Sequence, residues 1–109
     1  MVPLAAAGVS NMPPGEDVTP FRLYLVTQPK CPRCPAAKAI VEEAIQGTRV
    51  PLKIVNLQEM DPDFEYRLLE EQVFIASTPT ILIENGGRLR VLTRGVVPSI
   101  EKIRKALEE

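Results

Sequence analysis

The two cysteines of this 109-residue chain, Cys31 and Cys34, are separated only by Pro32 and Arg33. A cysteine thiol exchanges with a disulfide when it is ionised and can reach the sulfur that it attacks. Side chains three positions apart in the first turn of a helix lie about 5 to 6 Å apart, a distance that a disulfide can bridge. The spacing therefore predicts a pair that cycles between a dithiol and a disulfide.

The segments on either side of the cysteines predict how they are positioned. Residues 21–27 alternate in polarity and are rich in β-forming side chains, which predicts a strand. Residues 36–45 form a helical run that Gly47 ends. We therefore expect both cysteines in the first turn of a helix that follows a strand, a context typical of a redox-active cysteine pair.

Composition narrows the classes of function. The net charge of −1 provides no strong positive field, so we expect neither nucleic acid nor an anionic membrane as a partner. Histidine is absent, which excludes Cys/His catalytic pairs and histidine-ligated metals. The apolar fraction of 45% and the charged fraction of 25% are those of an ordinary globular domain.

The N-terminal region predicts a domain boundary and a compartment. Residues 1–20 include Pro3, Pro13, Pro14 and Pro20, so we interpret them as a flexible segment before a domain at residues 21–109. The alternative is that their apolar side chains cover a hydrophobic patch or bind a partner. No Lys or Arg precedes the apolar run at residues 2–9, so we predict no signal peptide and a reducing, cytoplasmic location.

Two further elements follow the cysteine helix. Residues 50–56 predict a second strand in which Leu52 and Ile54 lie two positions apart, on one face. Asp61 and Pro62 predict the cap and the first residue of a helix that runs to about Gln72. The side chains predicted to form the apolar stripe of this helix are Phe64, Leu68, Leu69 and Val73.

The last third of the chain predicts a hairpin and a helix. Strands at residues 80–83 and 89–93 flank Asn85-Gly86-Gly87, where Asn-Gly supplies the positive φ values of a tight turn. Ser99 is the expected cap of the final helix. The order β-α-β-α-β-β-α predicts an α/β fold, with a four-stranded mixed sheet in the order 2-1-3-4 and helices on both faces.

Two stretches resemble a known family. Residues 31–34 followed by Ala37-Lys38 are similar to the glutaredoxin pattern Cys-Pro-Tyr-Cys-x-x-Ala-Lys. Residues 77–80, then Asn85-Gly86 and Gly95, are similar to the second half of thioredoxins. The chain therefore resembles a small glutaredoxin-like member of the thioredoxin superfamily over residues 21–109, which implies a thioredoxin-like fold.

The resemblance assigns roles to individual residues. It implies that Cys31 is the exposed nucleophile and Cys34 the buried thiol that resolves the mixed disulfide. It also implies that Pro79 follows a cis peptide bond beside the cysteines, and that Thr78 offers its backbone to an extended substrate.

Two cations are candidates for tuning the reactivity of the nucleophile. Lys30 and Arg33 flank Cys31, and the chain has no acidic residue between Val18 and Val41. These charges and a nearby helix N-terminus would lower the pKa of Cys31 below that of a free cysteine. The alternative is that both are ordinary exposed charges.

Departures from the family patterns concern the usual proton acceptor for Cys34 and the binding of glutathione. Lys30 stands where thioredoxins typically carry tryptophan, and Leu25 where they carry a buried aspartate. Glutaredoxins typically have tyrosine at the position of Arg33. They also have an aspartate after the hairpin that holds glutathione, where this chain has no acid before Glu101. We therefore expect the redox disulfide to act without bound glutathione. Two cysteines are too few for a tetrahedral zinc site in one chain, so we also predict no metal.

The leading hypothesis is a monomeric thiol-disulfide oxidoreductase that reduces protein disulfides and takes electrons from a reductase or a thiol carrier. One alternative is a glutathione-dependent glutaredoxin. A second is a binding module in which paired chains hold an iron–sulfur cluster or a metal through Cys31. A third is an adaptor that keeps the fold and binds a partner through its N-terminal segment.

Overall fold

A computed structural model describes residues 20–108 of the protein. Its elements follow the predicted order and are β1 (Phe21–Thr27), α1 (Cys34–Ala44), β2 (Leu52–Asn56), a 3-10 turn (Leu57–Glu59), α2 (Pro62–Glu70), β3 (Thr80–Asn85), β4 (Arg88–Arg94) and α3 (Ile100–Ala106). The segment predicted to be flexible lies outside the described residues, Pro20 excepted. None of the helices within residues 20–108 has the length and apolar character needed to cross a membrane.

The four strands form one mixed sheet in the order β2-β1-β3-β4. Strand β1 runs parallel to β2 and antiparallel to β3, and β4 completes the hairpin with β3. Leu25 of β1 lies opposite Ile54 on one side and Ile81 on the other. The predicted topology and strand order are confirmed.

Strand β1 is buried on both faces and so divides the core into two layers. Successive side chains of a strand point to opposite faces of its sheet. Leu23 and Leu25 pack with side chains of α1 and α3, whereas Tyr24 and Val26 pack with Leu68 of α2. Helices therefore cover both faces, as predicted.

Local capping signals locate two helix starts. The Asp61 carboxylate accepts a 3.1 Å hydrogen bond from the amide of Asp63, and Pro62 is the first residue of α2. The Ser99 hydroxyl accepts a 3.1 Å hydrogen bond from the amide of Lys102 at the start of α3. Both bonds satisfy amides that have no acceptor within the helix.

Two apolar side chains predicted to be buried are exposed instead. Ile54 of the edge strand β2 is 43% exposed, whereas its neighbour Val55 is buried. Leu69 of α2 is 63% exposed, whereas Leu68 and Val73 are buried. The alternating pattern identified the strand correctly but predicted that Ile54 would be buried. Whether a strand residue is buried depends on which distant elements pack on its face of the sheet.

The hairpin turn is centred one residue later than Asn-Gly would place it. Asn85 remains in β3 and pairs with Arg88, while Gly86 and Gly87 have φ values of +61° and +90°. Two successive positive φ values are readily adopted by glycine. The Gly-Gly pair therefore forms the turn.

A bulge shapes the other end of the hairpin. Ile81 lies opposite Thr93, but Leu82 lies opposite Val91, so Leu92 is an extra residue in β4. Beyond the bulge, Arg94 pairs with Thr80. The end of β4 therefore lies beside the residues that lead into β3.

Candidate active site

The cysteine pair forms a disulfide at the end of the sheet where β1 finishes. The Cα atoms of Cys31 and Cys34 are 5.5 Å apart. Cys34 is 7% exposed and belongs to the core, whereas Cys31 is partly exposed to solvent. Attack on a target disulfide needs an exposed thiol, and resolution needs a second thiol within reach of the first.

Only one of the two cysteines lies in the helix, which corrects the sequence-based prediction. Helix α1 begins at Cys34, and Cys31 lies in the preceding turn, where its amide donates a 3.3 Å hydrogen bond to the carbonyl of Gln28. A helix starting at Cys31 would need an amide hydrogen at residue 35 to bond the carbonyl of residue 31. Pro35 has none, so the helix starts later.

Thr78 and Pro79 lie at the same end of the sheet as the cysteines. Their peptide bond is cis, as the resemblance implies. Thr80, the first residue of β3, pairs with Val26 near the end of β1. The Gln28 side chain donates a 3.1 Å hydrogen bond to the Thr78 hydroxyl. The segment before the cysteines is therefore tied directly to Thr78, a contact that no sequence motif indicated.

Gly95 joins the loop after β4 to both parts of the site. Its amide donates a 2.7 Å hydrogen bond to the carbonyl of Pro79, and its carbonyl accepts a 3.2 Å hydrogen bond from Nη1 of Arg33. Gly95 has a φ of +69°, and a Cβ atom there would lie 3.0 Å from Oγ of Ser77. Both the backbone conformation and the space favour glycine at this position.

The two cations beside Cys31 are exposed. Lys30 has a φ of +68°, unusual for a residue with a side chain, at the turn that leads into the cysteine motif. Arg33 occupies the N-cap position of α1 without a capping hydrogen bond from its side chain, which instead reaches Gly95. Their proposed effect on the pKa of Cys31 stays a prediction.

The thioredoxin aspartate position is part of the apolar core here. Leu25 is fully buried among side chains of α1, α3 and β3. Among residues 20–108, the buried polar side chains are those of Thr80 and Thr93. In this part of the chain, then, no buried carboxylate is available to take a proton from Cys34.

A charged cluster lies at the opposite end of β1. Oε1 of Glu84 accepts hydrogen bonds from Arg67 at 3.0 Å and from Tyr24 at 2.8 Å. Burial would raise the pKa of the Glu84 carboxyl, but the hydrogen bonds from Arg67 and Tyr24 outweigh it and hold that pKa below its usual value. Burial, followed by the contact with Glu84, raises the pKa of the Tyr24 phenol.

Metal ligands are scarce near the cysteines. Across residues 20–108, no group of three or more Cys, Asp or Glu side chains lies close enough to hold a metal ion. A metal or cluster bound through Cys31 and Cys34 would therefore take its remaining ligands from outside this part of the chain.

Comparison with known proteins identifies the family. A family model described as a thioredoxin domain matches residues 24–108. The chain belongs to this thioredoxin family. A search of curated proteins gives no match. Thioredoxin-like domains with a close cysteine pair are, in general, thiol-disulfide oxidoreductases.

Solved structures share the thioredoxin fold at low sequence identity. Thioredoxin-2, a component of the malaria parasite protein secretion machinery, is 15% identical, with 83% of this chain and 82% of that chain covered and a TM-score of 0.59. Oxidised thioredoxin from Plasmodium falciparum is also 15% identical, with coverages of 83% and 80% and a TM-score of 0.56. A thioredoxin-like protein from Clostridium perfringens is 13% identical, with coverages of 96% and 90% and a TM-score of 0.60.

Proposed function

We propose that this protein is a dithiol-disulfide oxidoreductase that reduces disulfides in other proteins. The observation that carries the proposal is the disulfide between a partly exposed Cys31 and a buried Cys34, at the same end of the sheet as Pro79. The disulfide is the oxidised end of the catalytic cycle, so the reaction begins when a donor reduces it.

In the first step, the thiolate of Cys31 attacks one sulfur of the target disulfide. The target S–S bond breaks, a mixed disulfide forms, and the departing target sulfur takes up a proton. In the second step, Cys34 loses its proton and attacks the sulfur of Cys31. The Cys31–Cys34 bond re-forms, and the second target sulfur leaves as a thiol. Two electrons have then passed from the protein to the target.

Regeneration needs two electrons and two protons from a reductase or a thiol carrier. A reductase or a protein thiol is a better candidate donor than glutathione. The loop after β4 has no acidic residue at the position where glutaredoxins bind glutathione. We propose that the chemistry takes place in the cytoplasm. A monomer is sufficient for it, because one chain contains both thiols.

Thr78 is the proposed contact for the target backbone. It lies two residues before the start of β3, and an extended peptide could pair with its main chain in the manner of strand addition. Gln28 and Gly95 support this arrangement because their hydrogen bonds fix the Thr78 hydroxyl and the Pro79 carbonyl.

A redox titration tests the proposal. The protein is equilibrated in dithiothreitol or glutathione buffers of known potential, quenched with an alkylating agent and weighed by mass spectrometry. We expect both thiols to disappear together in one reversible two-electron transition at about −200 mV or lower. The reduced protein should also reduce a disulfide-linked peptide, with one peptide disulfide lost for each Cys31–Cys34 disulfide formed. A pair that never re-forms, or a reduced protein that leaves the peptide intact, would contradict the proposal.

A further inference from the structure

We infer that the target disulfides lie in acidic segments, because three cations without an ion-pair partner among residues 20–108 lie around Cys31 and the Thr78-Pro79 segment. The inference rests on the proposed function and names its substrate class. The cations are Lys30, Arg33 and Arg94, all of them exposed.

Lys30 and Arg33 belong to the cysteine turn. They flank Cys31 in sequence, and the hydrogen bond from Arg33 to the Gly95 carbonyl holds its guanidinium at the loop after β4. This bond uses a neutral acceptor, so the positive charge of Arg33 is not compensated by it. The guanidinium has five N–H donors, and the remaining ones can bind a carboxylate.

Arg94 is the last residue of β4. Its backbone pairs with Thr80, which places it across β3 from the end of β1. Its guanidinium donates a hydrogen bond to the carbonyl of Phe74, ahead of the Thr78 segment. The acceptor is again neutral. Arg94 therefore precedes Gly95, which the Arg33 guanidinium contacts, and both cations lie beside Pro79.

Among residues 20–108, the segments that carry these cations contain few acidic residues. Between residues 72 and 100 the single acid is Glu84, and it is bound to Arg67 at the other end of the sheet. In the described part of the chain, ion pairs join Arg67 to Glu84 and Arg88 to Glu71, but none involves Lys30, Arg33 or Arg94. The charge around the cysteines is therefore positive, although the net charge of the whole chain is −1.

The expected effect is on encounter and specificity. Exposed charges contribute little binding energy each, but a set of one sign beside a reactive group raises the rate of association with an opposite charge. We therefore expect kcat/KM to favour an acidic target by about tenfold at low salt, with the preference shrinking as salt screens the charges.

Three disulfide-linked peptides test this inference. They share one length and sequence and carry Glu, Gln or Lys at the positions flanking the cysteine. We expect kcat/KM to fall in that order for the full protein, and a high-salt buffer to bring the three values together. The triple variant Lys30→Gln, Arg33→Gln, Arg94→Gln should lose the order. The ratio between peptides is the readout, because a change in the intrinsic reactivity of Cys31 affects all three alike.

Arg49→Gln is the matched control. Arg49 is exposed and precedes β2 at the end of the sheet away from the cysteines. Its substitution removes one positive charge and should leave the ratio unchanged. A small uncharged disulfide, bis(2-hydroxyethyl) disulfide, reports whether each variant keeps its thiol chemistry.

The outcomes separate the two proposals. Equal rates for the three peptides would overturn the acidic-target inference and leave the oxidoreductase proposal standing. No reduction of any disulfide would overturn both. Faster reduction of glutathione disulfide than of the Glu peptide would indicate that the cations bind the carboxylates of glutathione. That result would also overturn the inference.

Discussion

The amide of Gly95 donates a 2.7 Å hydrogen bond to the carbonyl of Pro79. This contact joins the loop after β4 to the loop before β3, and Arg33 extends it to the cysteine turn through the Gly95 carbonyl. Three segments far apart in the sequence are therefore held in one arrangement by a single residue.

Gly95→Ala should destabilise the protein and slow peptide reduction. Left-handed backbone costs a residue with a side chain about 1 to 2 kcal/mol, and the new Cβ would also press on Ser77. Urea unfolding of the oxidised protein measures the loss. Gly47→Ala is the control, because Gly47 also has a positive φ but open space around it. Equal losses in the two variants would show that the contact with Ser77 has no effect.

Cys34→Ser should trap the target on Cys31. Without the buried thiol, the mixed disulfide cannot be resolved within the chain, so a covalent adduct with the peptide should accumulate. Mass spectrometry of the quenched reaction detects it. The matched variant Cys31→Ser should form little adduct, because the remaining thiol at position 34 is 7% exposed. Adducts that form equally in both variants would contradict the assigned roles.

Acid should weaken the folded state through Glu84. Its pKa in the folded protein lies below the ordinary value of 4.5, so the unfolded chain takes up a proton first as the pH falls. The stabilisation is therefore present above about pH 4.5 and is lost as the pH drops through the folded pKa. Unfolding free energies measured along a pH series should show this decline.

Glu84→Gln provides the comparison for the acid effect. It should lower the unfolding free energy at pH 7 by about 1 to 2 kcal/mol, because a charged acceptor of two hydrogen bonds is replaced. It should also flatten the acid decline. Glu70→Gln, at an exposed position on α2, should do neither. An unchanged pH profile in Glu84→Gln would contradict the role of the cluster.

Leu25→Ala should cost about 2 to 5 kcal/mol of unfolding free energy, because it leaves a cavity in the fully buried layer under α1 and α3. Ile54 lies directly opposite on β2 but is 43% exposed, so Ile54→Ala should cost much less. Urea unfolding compares the two. Similar losses would show that the edge strand is covered in solution.

Local chemistry was sufficient to predict the element order and the helix starts. Asp61 and Ser99 cap their helices through amides only two or three residues away. The pattern of alternating side chains also identified β1 with its observed bounds. These signals depend on neighbours in the sequence, so they can be read without knowing the fold.

Contacts between distant segments could not be predicted in this way. The exposure of Ile54 and Leu69 depends on which elements cover their faces. The bonds from Gln28 to Thr78 and from Arg33 to Gly95 exist only because the sheet brings the ends of β1, β3 and β4 together. The start of α1 could have been predicted, since Pro35 lacks the amide that an earlier start needs.

The separation of the Glu84 cluster from the cysteines has a spectroscopic consequence. The chain has no tryptophan and two tyrosines, so tyrosine dominates its intrinsic fluorescence. Tyr24 is buried against Glu84, whereas Tyr66 is 63% exposed. The emission that changes most on unfolding therefore comes from Tyr24, whose hydroxyl contacts Glu84 and not the cysteines. Tyrosine emission should therefore follow unfolding and change little between the oxidised and the reduced protein.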